Sequence, residues 1–174
     1  MNLRIGKGTA ALVAGIVITA GFAAAPSAEA AGAAGAAVAG SVASGEVTFV
    51  NVNSGKCLEI WGDATNDGAR AGQWDCNGSA TQHWRMNFTG EWATIVNVNS
   101  GKCLEIWGDA TNDGARAGQW GCNGSATQYW RWISTTELVN LNSGKCLEIW
   151  NDATHNGAPA GQWQCNGSAT QRWR

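Results

Sequence analysis

The side chains best suited to chemistry are carboxylates and indoles that recur together. Glu59 lies two residues after Cys57 and two before Trp61, and Trp74 lies two before Cys76. The spacing returns in Cys103, Glu105, Trp107, Trp120 and Cys122, and again in Cys146, Glu148, Trp150, Trp163 and Cys165. A carboxylate accepts hydrogen bonds from vicinal hydroxyls, and an indole face packs against the apolar C–H patch of a pyranose. This pattern points to sugar recognition. The plainer reading is that the indoles only cover a hairpin while the acid is solvated, since most aromatic residues serve packing. Catalysis would need a carboxylate pair, for which Glu59, Asp63 and Asp67 are the candidates. Their positions recur or nearly recur in every copy, and a catalytic cleft is rarely triplicated in a small domain, whereas binding gains from repetition. His83 and His155 sit at unrelated positions and form no triad with a nucleophile. No enzyme activity and no cofactor are expected. Asp63, Asn66 and Asp67 do not have the spacing of an EF-hand loop, and the close cysteine or histidine pairs of zinc modules are missing.

The elements that must hold these residues come in triplicate. Residues 53–85 recur as 99–131, with 31 of 33 positions identical, and as 142–174, with 27 of 33 identical to the first copy. A strand-like run precedes each copy: Thr48–Val52, Thr94–Val98 and Glu137–Leu141. Within the first copy, Cys57–Trp61, Gly72–Cys76 and Gln82–Arg85 alternate with period two, and Asn66-Asp67-Gly68 signals a turn. The reading is all-β, with about four short strands per repeat and three repeats packed around a pseudo-threefold axis. Leu58 and Ile60 should face the core, as should Trp84, Trp130 and Trp173. Trp92 and Trp132 occur once each and carry no assigned role.

Six cysteines allow 15 pairings. Threefold repetition makes Cys57–Cys76, Cys103–Cys122 and Cys146–Cys165 the economical choice, each bridge contributing about 3 kcal/mol in the chain-entropy model. If the cysteines of a pair lie opposite each other, Glu59 faces Trp74 and Trp61 faces Gly72. Glu105 then faces Trp120, with Trp107 opposite Gly118, and Glu148 faces Trp163, with Trp150 opposite Gly161. Alternation would place the acid and both indoles of each repeat on one side of its hairpin.

Composition narrows the setting. The formal net charge is −2 and the pI about 5.6, so the chain lacks the basic face of a phosphate-backbone reader, and no nucleic-acid partner is expected. Residues 1–30 read as a secretory signal: Arg4 and Lys7, an apolar run from Ala10 to Ala25, Pro26, and a small-x-small site at Ala28-Glu29-Ala30. That run is short for a membrane span, which needs ~20 residues. Residues 31–45, almost all Ala, Gly, Ser and Val, read as a linker. The remaining 46–174 hold the repeats, at about 46–90, 91–134 and 135–174. An extracellular location agrees with the cysteine content.

The strings Gly-Lys-Cys-Leu-Glu-Ile, Gln-Trp-x-Cys-Asn-Gly and Gln-x-Trp resemble those of ricin B-chain-type lectins, the β-trefoil sugar-binding modules also classed as carbohydrate-binding module family 13. The resemblance covers residues 46–174 and includes the triplicated Gln82-His83-Trp84, Gln128-Tyr129-Trp130 and Gln171-Arg172-Trp173. It implies that Glu59, Glu105 and Glu148 accept sugar hydroxyls, that Trp74, Trp120 and Trp163 stack on the ring, and that Gln82, Gln128 and Gln171 buttress the acid. It also implies galactose- or xylose-type glycans as partners. Three departures stand out. Glu replaces the usual Asp; Thr81, Thr127 and Thr170 replace a sugar-binding Asn; and Gly72, Gly118 and Gly161 replace a polar residue. The expectation is a secreted lectin-like module with up to three equivalent sites. The alternative, favoured by those threonines, is a trefoil that has lost sugar binding and recognises a protein, for example as a hydrolase inhibitor.

Overall fold

The computed structural model describes residues 45–174. The signal reading and all but the last residue of the linker reading lie outside the described residues. Eleven strands run through the rest: β1 (Glu46–Val47), β2 (Cys57–Ile60), β3 (Ala69–Trp74), β4 (Trp84–Thr89), β5 (Trp92–Asn97), β6 (Cys103–Ile106), β7 (Ala117–Trp120), β8 (Tyr129–Trp132), β9 (Leu138–Asn140), β10 (Cys146–Ile149) and β11 (Ala158–Trp163). Short 3₁₀ turns follow β2, β6 and β10 at Trp61–Asp63, Trp107–Asp109 and Trp150–Asp152. The first run expected to be a strand, Thr48–Val52, contributes only single bridges, from Val50 to Cys57 and from Asn51 to Trp173.

All pairings are antiparallel. The hairpins β2–β3, β6–β7 and β10–β11 are the repeated unit. Their second strands join one another across the repeats: β3 pairs with β7 and with β11, and Arg116 of the second repeat bridges Gly161 of the third. β8 pairs with both β9 and β5, so the order closes on itself. Backbone hydrogen bonds between Val50 and Arg174, and from Val52 to Arg172, bring the last residues against the first repeat. This is the β-trefoil arrangement, with three copies around an approximate threefold axis.

The core follows from the sequence. Leu58, Ile60 and their counterparts Leu104, Ile106, Leu147 and Ile149 are fully buried, with Trp84, Trp130 and Trp173 between them. Each of these indoles donates to the carbonyl of the adjacent Leu, at 3.1 Å, 3.0 Å and 3.1 Å. A large apolar side chain is thereby buried with its one polar atom satisfied. Trp132 packs against Phe49 with the rings tilted by 41° and their centroids 6.0 Å apart, and the Arg131 guanidinium covers the Trp92 ring at 4.9 Å.

Side chains also tie repeat to repeat. Gln119 donates to the carbonyls of Ala64 and Asn66, Gln162 to those of Ala110 and Asn112, and Gln73 to those of Ala153 and His155. Two seams share a charged clamp. Asp67 accepts from the Gly121 N–H and pairs with Lys102, and Asp113 does the same with Gln164 and Lys145. The closing seam inverts it: Asn156 replaces the acid, accepts from the Asp75 N–H and donates to the Asp75 carboxylate, which pairs with Lys56.

Candidate functional site

All three intra-repeat disulfides are present, with Cα–Cα distances of 5.0–5.1 Å. The hairpin register differs from the expected one by two residues. Cys57 lies opposite Trp74, and Glu59 opposite Gly72, because Cys76 sits beyond the end of β3 and the bridge runs diagonally. A slip of two keeps every side chain on its own face. Glu59 and Trp74 therefore share a face as expected, but they are diagonal neighbours rather than a facing pair. The same holds for Glu105 with Trp120 and for Glu148 with Trp163.

Each acid and its indole line one pocket, of about 230 Å³ in the first repeat, 230 Å³ in the second and 380 Å³ in the third. Glu59, Glu105 and Glu148 are 8% exposed, whereas Trp74, Trp120 and Trp163 are 42–43% exposed and offer an open aromatic face. Gln82 is fully buried and saturated. Its carbonyl accepts from the Asn77 N–H at 2.9 Å, and its amide donates to Glu59 Oε2 and to the Asp75 carbonyl, both at 2.9 Å. Gln128 and Gln171 repeat the contact to Glu105 and Glu148 at 2.9 Å. One carboxylate oxygen is thus held in place and the other is left to accept from a ligand.

Burial pushes the Glu59 carboxyl above the ordinary glutamate range; the Gln82 hydrogen bond opposes this, and the charge of Asp63 adds to it. Glu105 and Glu148 are raised for the same leading reason.

The structure separates Trp61, Trp107 and Trp150 from the pockets, correcting the expectation that both indoles of a repeat stand beside the acid. β2 ends at Ile60, and Trp61 begins the 3₁₀ turn. Its ring lies over Gly72, where any Cβ would collide with the indole and with the Ala158 carbonyl. Trp61, Trp107 and Trp150 thus fill the seams between repeats, and their buried N–H groups have no hydrogen-bond partner among the described residues. Arg116 covers the Trp150 ring at 5.2 Å.

Asn77 and Ser79, which the sequence did not single out, join the pocket, as do Asp63 and Thr81, which it marked only as a candidate carboxylate and as a departure from the family pattern. Asp63, Asn77, Ser79 and Thr81 line the first site, with their counterparts in the other two. Asp63, Asp109 and Asp152 have φ of 51–52°, a left-handed conformation that costs an L-residue energy and is found at functional sites. The Thr81 hydroxyl is engaged by Ser79 at 2.9 Å. Asn77 accepts from the Ser79 N–H through its side-chain oxygen, which leaves its NH₂ as a donor at the rim. The pocket therefore presents carboxylate acceptors, an amide donor and an aromatic face. No side-chain cluster suited to a metal ion occurs among the described residues.

A sequence profile described as a ricin-type beta-trefoil lectin domain-like family matches residues 37–120, 82–137 and 126–174. The chain belongs to this family. Among solved structures it is similar to the designed threefold-symmetric protein ThreeFoil, at 32% identity and TM-score 0.72, covering 74% of this chain and 96% of that one. It is also similar to an exo-beta-1,3-galactanase from Clostridium thermocellum, at 30% identity and TM-score 0.70, covering 74% of this chain and 29% of the galactanase. The C-half of an earthworm R-type lectin in complex with GalNAc shares the fold at 16% identity and TM-score 0.63, covering 74% and 95% of the two chains. A search of curated proteins gave no significant match. Family membership makes the domain a lectin-like module, of a class that recognises carbohydrate.

Proposed function

We propose that the three pockets are sugar sites and that the chain works as a secreted, multivalent carbohydrate-binding module. The observation carrying this reading is a carboxylate locked by a saturated glutamine beside an exposed indole, three times over. A galactose- or xylose-type ring would lay its C–H face on Trp74 while its hydroxyls meet Glu59, Asp63 and Asn77. The amide of Asn77 takes the part that an Asn in place of Thr81 would play, so the threonine does not leave the site without a donor. Secretion is inferred from the pattern of residues 1–30 and from the disulfides. A single contact of this kind is weak, because its hydrogen bonds replace equally good ones to water. Three contacts on one polysaccharide raise the effective concentration, and avidity exceeds one site's affinity by ~10²-fold or more.

Calorimetry against galactose, xylose and their polymers tests this, using wild type and the variant combining Trp74→Ala, Trp120→Ala and Trp163→Ala. The expected result is binding by wild type and its loss in the folded variant. Equal binding by both would place the sugar elsewhere. Wild type that binds no glycan but inhibits a hydrolase would favour the protein-recognition alternative.

A further inference from the structure

The three pockets are built from the same residue types at every lining position but one. Asn151 stands in the third pocket where Gly62 and Gly108 stand in the first and second. The backbone is nearly unchanged, with φ 57° and ψ 33° at Asn151 against φ 65° and ψ 32° at Gly62. The asparagine thus occupies a left-handed conformation that glycine adopts freely and side chains seldom do. Its side chain is exposed at the pocket, and no hydrogen bond within the described residues engages its amide. Nothing in the fold compensates for the substitution.

The cavity itself also differs, at about 380 Å³ against 230 Å³ for each of the others. One wall differs slightly as well. The serine and threonine hydroxyls are hydrogen-bonded in all three pockets, at 2.9 Å, 2.9 Å and 2.7 Å, but only Ser79 and Ser125 also accept from the N–H of the residue two ahead, at 3.4 Å and 3.3 Å.

Building on the sugar-site reading, we propose that Asn151 makes the third pocket an extended site, which holds one sugar against Trp163 and reads a second, linked sugar through the Asn151 amide. The amide offers a donor and an acceptor side by side, as does a ring hydroxyl of a neighbouring unit. The added room lies in the one pocket that carries this amide. The first two pockets, with glycine at this position, take a single unit. The three sites are then unequal: two hold any chain end or branch of the right ring, and the third selects for the linkage.

Single-site proteins test this by calorimetry with galactose, β-1,3-galactobiose, xylose and xylobiose. Trp74→Ala with Trp120→Ala leaves the third site, and Trp120→Ala with Trp163→Ala leaves the first. The third site should prefer disaccharide to monosaccharide by about 3- to 10-fold, the value of one added hydrogen bond, while the first should show no such preference. Adding Asn151→Gly should return the third site's ratio to that of the first. Adding Gly62→Asn to the first-site protein should create the preference there. Both changes exchange residues that this loop already carries in the same conformation, so folding is not at issue. Equal ratios in both single-site proteins, with binding intact, would overturn the role of Asn151 and leave the sugar-site reading standing. No binding by wild type to any of the four sugars would overturn both.

Discussion

The acid of each pocket is held by one residue and tuned by its surroundings. Gln82 spends all its hydrogen-bonding groups on Glu59, Asn77 and Asp75, so Gln82→Ala leaves a buried carboxylate oxygen and a backbone N–H unpaired. Such a loss costs about 1–3 kcal/mol in stability, checked by denaturant unfolding, and should abolish binding at the first site only. On the proposed sugar-site reading, the raised Glu59, Glu105 and Glu148 give binding a pH dependence. As pH falls they take up protons before an ordinary glutamate, whose value is 4.5, and an acceptor becomes an O–H donor. Sugar affinity should therefore decline on acidification from above pH 4.5, read by calorimetry across pH 4–7, and Glu59→Gln should flatten the first site's share of that decline. The effect on stability has the opposite sign. A raised carboxylate disfavours the fold while charged, so its protonation favours the folded state through the same window. Asp67, Asp75 and Asp113 are depressed by their lysine partners, and their contribution is lost only as pH falls further.

The hairpin shows what could be read from sequence and what could not. Period-two alternation correctly put Leu58 and Ile60 inward and Glu59 and Trp74 on the opposite face. It could not fix the register, because a slip of two leaves that alternation unchanged and the disulfide tolerates a diagonal geometry. Nor could it show where β2 stops. Trp61 continues the alternation by residue type, yet the chain turns there, and its indole fills the space above Gly72. Asp63 was legible as a candidate carboxylate but not as part of this pocket, since its place there depends on the left-handed pair it forms with Gly62. Gly72→Ala should therefore act at the seam rather than at the sugar. The new methyl meets the Trp61 ring and the Ala158 carbonyl, an overpacking that costs about 1–3 kcal/mol or more, measurable as a lower Tm with disulfides intact.

For the whole molecule, the closing seam matters most, because near-identical repeats risk joining in the wrong order. Asp67 and Asp113 suit a neighbour without a carboxylate at the facing position, whereas Asp75 suits Asn156. An exchange of repeats would set Asp113 against Asp75, two like charges in contact, and would set Lys102 against Asn156, without a carboxylate to pair. The inverted clamp therefore marks the third repeat as the one that closes on the first. Asn156→Asp should lower Tm, more so at low salt, where repulsion is less screened. Adding Asp75→Gly, which recreates the clamp of the other seams, should restore it. A double variant no more stable than Asn156→Asp alone would show that the two residues do not act on each other.

The bonds joining Val50 to Arg174 and Val52 to Arg172 also determine how the domain meets a mechanical load. The two segments are antiparallel, and both lead out of the domain at the same end of their pairing. A pull between residues 45 and 174 loads these bonds one after another, as in a zipper, rather than all at once in shear. The ring should part at the closing seam under modest force. Extension then stalls at the stretches 57–76, 103–122 and 146–165, because the disulfides keep those loops from lengthening.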